Sequence, residues 1–238
     1  MVNNTRKIKL IATLGPSSLN KKILNQLKKN VDIFRLNMSH LSLHQLRKNL
    51  EFLKKNKIKN ICIDTEGAQI RTLSIKRKIF LKKNSIIKIS TEKLSIKNCF
   101  QLYPNFLLKK IKIKSKIKIG FEGLELQVEK KFKNFIQCKV SNKGFLDSNK
   151  GVHFDSHIKL NPLTKKDIDA IYIAKKFGVK IFALSFANSA QDVLFFRSLI
   201  DKNDELISKV ETKKGFFNRK QITKVSNAIL IDRGDLSR

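Results

Sequence analysis

Apolar residues fall along this chain in two rhythms. In the first, short unbroken apolar runs alternate with helix-length segments that carry a single apolar stripe. Residues 8–14 form the first run, and Gly15, Pro16, Ser17 and Ser18 break it. The next segment places Ile23, Leu24 and Leu27 on one face, which predicts a helix with Ser17 or Ser18 as its N-cap. Residues 31–37 predict a second strand ending in polar Arg35 and Asn37, with Ser39 and His40 just beyond. Leu43, Leu46, Leu50 and Leu53 recur at helical spacing, and 60–65 predicts a third strand ending in Asp64 and Thr65. Unbroken apolar runs joined by helices predict a parallel sheet buried on both faces, with right-handed crossovers.

The rhythm changes over residues 73–154. Helical periodicity fades, and segments such as 85–90, 116–119, 124–128 and 135–140 alternate in part. Gly120, Gly123 and Gly144 punctuate them, which predicts a small antiparallel β insert. Residues 97–114 carry the weakest pattern. After Pro162 the first rhythm resumes. Thr164 with Asp167 forms a capping-box signature before the stripe Ile168, Ile171 and Ala174, and Gly178 suits the position just past that helix. Strands are predicted at 179–185, 206–211 and 228–235, with a helix from Ser189 carrying Val193, Phe196 and Ile200. The expected layout is 1–72 and 155–238 in one β/α body, interrupted by an insert at 73–154.

Polar residues gather just after the predicted strands: Arg35, Asn37, Asp64, Thr65, Lys209, Glu211, Arg233 and Asp235. Parallel strands bring their C-terminal ends to one edge. Two carboxylates beside a lysine there suit Mg²⁺, which takes one or two carboxylates and leaves other positions to water and substrate oxygens. The same edge serves a β/α barrel and a doubly wound open sheet, so the pattern alone leaves both open. Neither a G-x-G-x-x-G nor a G-x-x-x-x-G-K-[ST] loop occurs, which argues against the usual dinucleotide and phosphate-loop sites.

Composition adds a strong basic bias: the net charge is +32 over 238 residues. Such a balance raises nucleic acid as a partner. The lysines are scattered, however, Trp is absent and Tyr numbers 2, so stacking platforms are few. A compositional drift toward Lys, Ile and Asn accounts for the charge better and argues against nucleic acid. Cys62, Cys99 and Cys138 form no C-x-x-C pair, which fits a reducing cytoplasm. No apolar run reaches the roughly 20 residues of a membrane span. Met1 to Lys9 lacks the apolar centre of a secretory signal.

Three sets of residues together resemble the pyruvate kinase family. The first runs Lys9, Leu10, Ile11, Ala12, Thr13, Leu14, Gly15, Pro16, Ser17, Ser18. The second is Phe34, Arg35, Leu36, Asn37, Met38, Ser39, His40, with Asp64, Thr65, Glu66, Gly67, Ala68, Gln69, Ile70, Arg71, Thr72. The third is Ser208, Lys209, Val210, Glu211, with Arg233, Gly234, Asp235, Leu236. Their order matches, as does the insert after the third strand, closed by Lys150, Gly151 and Val152. The resemblance implies an incomplete (β/α)8 barrel of the TIM type with an inserted small β-barrel domain. It implies phosphoryl transfer from phosphoenolpyruvate to ADP, yielding pyruvate and ATP. Glu211 and Asp235 would hold Mg²⁺, Lys209 would neutralise the phosphoryl group in flight, and Arg35 would grip the phosphate. Asn37, Ser39, Asp64 and Thr65 would supply oxygens to K⁺. Arg71, His40 and Lys150 would lie toward the nucleotide phosphates, with Arg233 and Gly234 also on the substrate side.

The chain departs from the family pattern at several places. Glu66, Ala68 and Gln69 stand where Lys, Pro and Glu are usual. Leu41 and Ser237 replace glycines, and Asp232 takes the place of a small residue. Asp232 would repel a phosphate or pair with Arg233. The chain stops at Arg238, before two further strands, a threonine-bearing strand end and a C-terminal domain that the family carries. Six strands would leave open edges, to be covered by a second copy or a complementing chain. The sequence therefore supports an enzyme of this type, or a noncatalytic subunit that keeps a phosphate and metal pocket. The tripeptide Arg233, Gly234, Asp235 as an adhesion signal is disfavoured without a secretion signal.

Overall fold

A computed structural model of the chain describes residues 8–104, 107–120, 122–155 and 158–236. The chain opens with β1 (Ile11–Thr13), α1 (Lys21–Leu27), β2 (Ile33–Asn37), a 3-10 turn (Met38–His40), α2 (Leu43–Lys55) and β3 (Ile61–Asp64). The insert follows: β4 (Ile70–Thr72), β5 (Ile79–Leu81), β6 (Ile86–Ser90), β7 (Cys99–Tyr103), α3 (Leu107–Lys110), β8 (Lys116–Ile119), β9 (Leu124–Lys131), β10 (Phe135–Asn142), β11 (Gly144–Leu146) and β12 (Gly151–Phe154). The first rhythm then returns as α4 (Lys165–Lys176), β13 (Ile181–Leu184), α5 (Ala190–Arg197), β14 (Glu205–Val210), α6 (Lys213–Phe217), α7 (Arg219–Lys224), β15 (Ala228–Ile231) and α8 (Arg233–Leu236).

Two compact units result, Met1–Ala68 with Asn161–Arg238, and Gln69–Leu160. The second begins before β4, where the sequence pattern set the boundary after Thr72. In the first unit six strands lie in the order β1-β2-β3-β13-β14-β15, every neighbouring pair parallel. The order never reverses. A doubly wound sheet reverses at its switch point, so sequential winding selects the arc of an unclosed (β/α)8-type barrel.

Both faces of these strands are apolar, which is why the runs are unbroken. One face, including Phe34, Leu36, Ile63, Phe182, Leu184 and Leu206, packs under helical residues such as Leu46, Leu50, Ile171, Ala174 and Phe196. Alternate positions Ile33, Cys62, Ala183 and Ile207 cluster on the other face. Full burial of a side chain such as Phe182 contributes about 1.5–3 kcal/mol. The arc's outer strands are the least covered: Ile11 in β1 and Ile231 in β15 are 42% and 61% exposed.

The second unit is a closed barrel in the order β10-β6-β7-β4-β12-β8-β9, with β5 and β11 forming a separate pair. Its alternating strands turn Ile87, Ile89, Ile117, Ile119, Leu126, Val128 and Ile136 into one core. The expectation of an antiparallel insert needs one correction, because β6 and β7 pair in parallel, Ile89 opposite Phe100. The poorly patterned stretch 97–114 holds β7 and α3, while 105–106 lie outside the described residues.

Other local expectations are also corrected. The N-cap of α1 is Asn20, whose side chain accepts from the Ile23 N–H, while Ser18 Oγ accepts from the Gly15 N–H. The last strand ends at Ile231, and 233–236 turn into α8. The capping box of Thr164 and Asp167 is present, and Gly178, at φ +78°, follows the C-cap of α4. Residues 1–7 and Ser237 lie outside the described residues. No described helix is long and apolar enough to cross a membrane.

Candidate functional site

The register of the parallel strands brings the polar strand ends of the first unit together. Asn37 sits opposite Asp64 across β2 and β3, and Asp64 opposite Ala183 across β3 and β13. Arg35 Nη1 lies 3.3 Å from Asp64 Oδ2, and Lys209 Nζ approaches the same oxygen at 3.3 Å. Lys209 Nζ also lies 3.0 Å from Glu211 Oε1 and donates to Ser185 Oγ at 3.0 Å. Ser185 Oγ in turn donates to Asp64 Oδ1 at 3.0 Å. Three strands, β2, β3 and β14, thus contribute to one alternating line of charge, Arg35, Asp64, Lys209, Glu211, and Ser185 just past β13 bridges it.

Asp64, Lys209 and Glu211 are buried, while Arg35 remains partly open. Burial pulls the Lys209 ammonium down, but Asp64 and Glu211 more than offset it and hold it above its ordinary range. Burial is also the largest influence on Glu211 and raises its carboxyl, against the opposing pull of Lys209 and the Phe186 N–H. That N–H donates to Glu211 Oε2 at 2.7 Å. Phe186 itself adopts φ 54°, an uncommon conformation for a bulky residue.

Glu211 faces a second group of acids. One carboxylate oxygen from each of Glu211, Asp232 and Asp235 lies within 4.8 Å of the others. Opposite ligands of Mg²⁺ stand roughly 4 Å apart, twice its bond length, so these three fit a small hard cation after slight closure. Glu211 retains lone pairs for a metal beside its two hydrogen bonds. The predicted pair Glu211 and Asp235 therefore shares one rim.

The other predicted residues are distributed as follows. Asn37 Oδ1 accepts from the Ser39 N–H at 2.9 Å. Thr65 Oγ1 donates to the Ala183 carbonyl and accepts from the Ser185 N–H, both at 3.1 Å. Asn37, Ser39, Asp64 and Thr65 thus lie at the ends of adjacent strands, where hydrogen bonds already hold Asn37 and Thr65. His40 is exposed at the end of the 3-10 turn. Arg233 is exposed at the start of α8, and the Gly234 N–H donates to Asp232 Oδ1 at 3.0 Å. Arg71 and Lys150 belong to the second unit. There Arg71 Nη1 donates to the Asn149 carbonyl at 3.2 Å, and the Lys150 N–H donates to Thr72 Oγ1.

Several residues escaped the sequence reading. Ser185 bridges Asp64 and Lys209 but looks like an ordinary strand-end serine. Asp167 was recognised only as a helix cap. Buried, it also accepts from the Glu66 and Gly67 N–H groups at 2.7 and 3.1 Å, tying down the loop after β3. Burial raises its carboxyl, opposed by the N–H groups of Thr164, Glu66 and Gly67. Gly67, at φ +70°, packs so close to Ser185 that an added Cβ would sit 2.8 Å from its carbonyl carbon. Glu66 pairs with Lys166 at 2.7 Å, and Lys166 also donates to the Met38 carbonyl at 2.6 Å. Asp232 forms the N-terminal turn of α8 and not an ion pair with Arg233 among the described residues.

Residues 5–237 match the family model described as pyruvate kinase, barrel domain. The chain is 32% identical to a pyruvate kinase of Staphylococcus saprophyticus over 246 residues, covering 97% of this chain and 42% of that protein. It is 30% identical to a pyruvate kinase of Sporosarcina psychrophila, with the same coverage. A pyruvate kinase of Borreliella burgdorferi is 29% identical, covering 96% of this chain and 49% of its own length. The chain therefore spans less than half the length of these curated relatives.

Proposed function

The chain belongs to the pyruvate kinase family, and from that membership we propose that it serves phosphoryl transfer between phosphoenolpyruvate and ADP, in the cytoplasm, as a step of glycolysis. The observation that carries the proposal is Lys209, buried between Asp64 and Glu211 at 3.3 and 3.0 Å with Arg35 beyond. Phosphoryl transfer depends mainly on positioning and on stabilising charge, and a fixed ammonium in a dry site supplies both.

In this reading the phosphoryl group leaves the enol oxygen of phosphoenolpyruvate for a terminal oxygen of ADP, and the enolate takes up a proton to give pyruvate. Arg35 grips the phosphate from the open side of the line. Lys209 places its three donors on Asp64, Ser185 and Glu211. A phosphoryl oxygen would take the place of one of these three acceptors. Glu211 and Asp235 hold Mg²⁺, which when bound draws charge from the phosphoryl oxygens. Asn37, Ser39, Asp64 and Thr65 would hold K⁺ through hard oxygens. His40, Arg71 and Lys150 serve the nucleotide phosphates, and Arg233 and Gly234 border the substrate.

A coupled assay with phosphoenolpyruvate, ADP, Mg²⁺ and K⁺ tests this. Turnover is expected to fall about 100-fold or more in Lys209→Met and in Glu211→Gln. Turnover indifferent to both substitutions would overturn the assignment. A second reading has one observation in its favour, that the three donors of Lys209 already rest on Asp64, Ser185 and Glu211. Here the chain is a noncatalytic phosphate- and metal-binding subunit that works with a partner chain. Phosphoenolpyruvate binding without turnover selects it.

A further inference from the structure

We propose that Asp232 is a third carboxylate ligand of the divalent-cation site, beside Glu211 and Asp235. The inference rests on the cation role proposed for Glu211 and Asp235, and extends it to a residue at a position where the family carries a small side chain.

Strand register supplies the geometry. Val210 pairs with Ile231 across β14 and β15, so Glu211 and Asp232 leave neighbouring strands side by side. Asp235 follows in the first turn of α8, and all three carboxylates come within 4.8 Å of one another. Asp232 is also held in place. Its Oδ1 accepts the N–H groups of Gly234 and Asp235 at 3.0 and 3.3 Å. A carboxylate offers about four lone-pair sites, so two such bonds orient it and leave capacity for a metal.

Charge points the same way. The chain carries 51 Lys and Arg against 19 acids, so acids without a basic partner are the exception. Among the described residues neither Asp232 nor Asp235 has a salt-bridge partner. Across the strand-end cluster, Arg35, Lys209 and the exposed Arg233 face Asp64, Glu211, Asp232 and Asp235. Acids therefore outnumber bases here, in a chain whose balance is otherwise strongly basic. A two-carboxylate Mg²⁺ site borrows its remaining ligands from water and substrate phosphate. A third carboxylate lessens that dependence.

Mn²⁺, used as the probe without phosphoenolpyruvate or nucleotide, tests the proposal by calorimetry and electron paramagnetic resonance. The native chain is expected to bind one Mn²⁺, and Asp232→Asn to weaken it about tenfold or more. Asparagine keeps the acceptor for the Gly234 and Asp235 N–H groups, so the start of α8 survives, and thermal unfolding without metal verifies this. Hexaamminecobalt(III), whose ammines block direct coordination, separates ligation from simple attraction. An equal loss of affinity for both ions in Asp232→Asn would mean that Asp232 acts only as a charge, and the proposal fails. It fails also if Asp232→Asn binds normally while Asp235→Asn does not, which leaves the two-carboxylate reading intact. Absence of Mn²⁺ uptake by the native chain overturns it as well. Repeating that titration with phosphoenolpyruvate then separates the two ideas: uptake preserves the cation role of Glu211 and Asp235, and none removes that too.

Discussion

The two units solve the same burial problem with opposite sequence patterns. In β9 of the closed barrel, Leu124, Leu126 and Val128 are buried while Gln127 and Glu129 face water. In β14 of the parallel arc, every residue from Leu206 to Val210 is buried, Lys209 among them. A strand with one wet face can place its charges there at little cost. A strand buried on both faces has no such outlet, so its polar groups collect at the end or must be paired inside. The difference explains why the catalytic candidates sit on the arc. It also explains why the lysines of β9 and β10 carry little information.

The sharpest way to break this contrast is Lys209→Met. The change leaves Asp64 and Glu211 buried without their shared cation, and it is expected to destabilise the first unit by about 3–5 kcal/mol in urea unfolding. A loss below 1 kcal/mol would mean that the carboxylates are not held by Lys209. Smaller is Gly67→Ala, which adds a Cβ at positive φ against the Ser185 carbonyl and is expected to cost about 1–3 kcal/mol. Its effect should spread to turnover, because Ser185 bridges Asp64 and Lys209.

The mildest test compares the thiols. Burial raises Cys62 far above its ordinary 9.0, and raises Cys138 from 9.0 to about 12, with Glu129 adding to the latter. Both folded values lie above the unfolded one. Their stabilising contribution is therefore complete below pH 9.0 and fades as pH climbs toward the folded values. In the native chain at pH 8, iodoacetamide should label the partly exposed Cys99 alone, and all three thiols only after unfolding. Rapid labelling of Cys62 would show that the arc opens readily.

How far the sequence disclosed this arrangement follows from the same physics. Unbroken runs between amphipathic helices marked every strand of the arc, because burial on both faces leaves that trace. β1 came out shorter than its run, since an outer strand has a neighbour on one side only. Asn20 displaced the predicted serines because the loop after β1 turns on Ser18 before the helix begins. Arg35, Asp64, Lys209 and Glu211 were legible because each interrupts an apolar run toward or just past a strand's C-terminal end, and those ends converge. Ser185 and Phe186 were not, because their roles depend on an atom-to-atom bridge and on a left-handed backbone that no pattern announces. Asp232 was read as an intruder beside Arg233. Only the turn into α8 brings it to Glu211.

The Glu66–Lys166 pair makes two distant positions interdependent. A lysine at position 66 would confront Lys166, whose ammonium also anchors the Met38 carbonyl next to the turn bearing His40. Changing Lys166 alone would strip Glu66 of its counter-charge and the Met38 carbonyl of its donor. A Glu66→Lys exchange is therefore best tolerated when position 166 is exchanged in the same step.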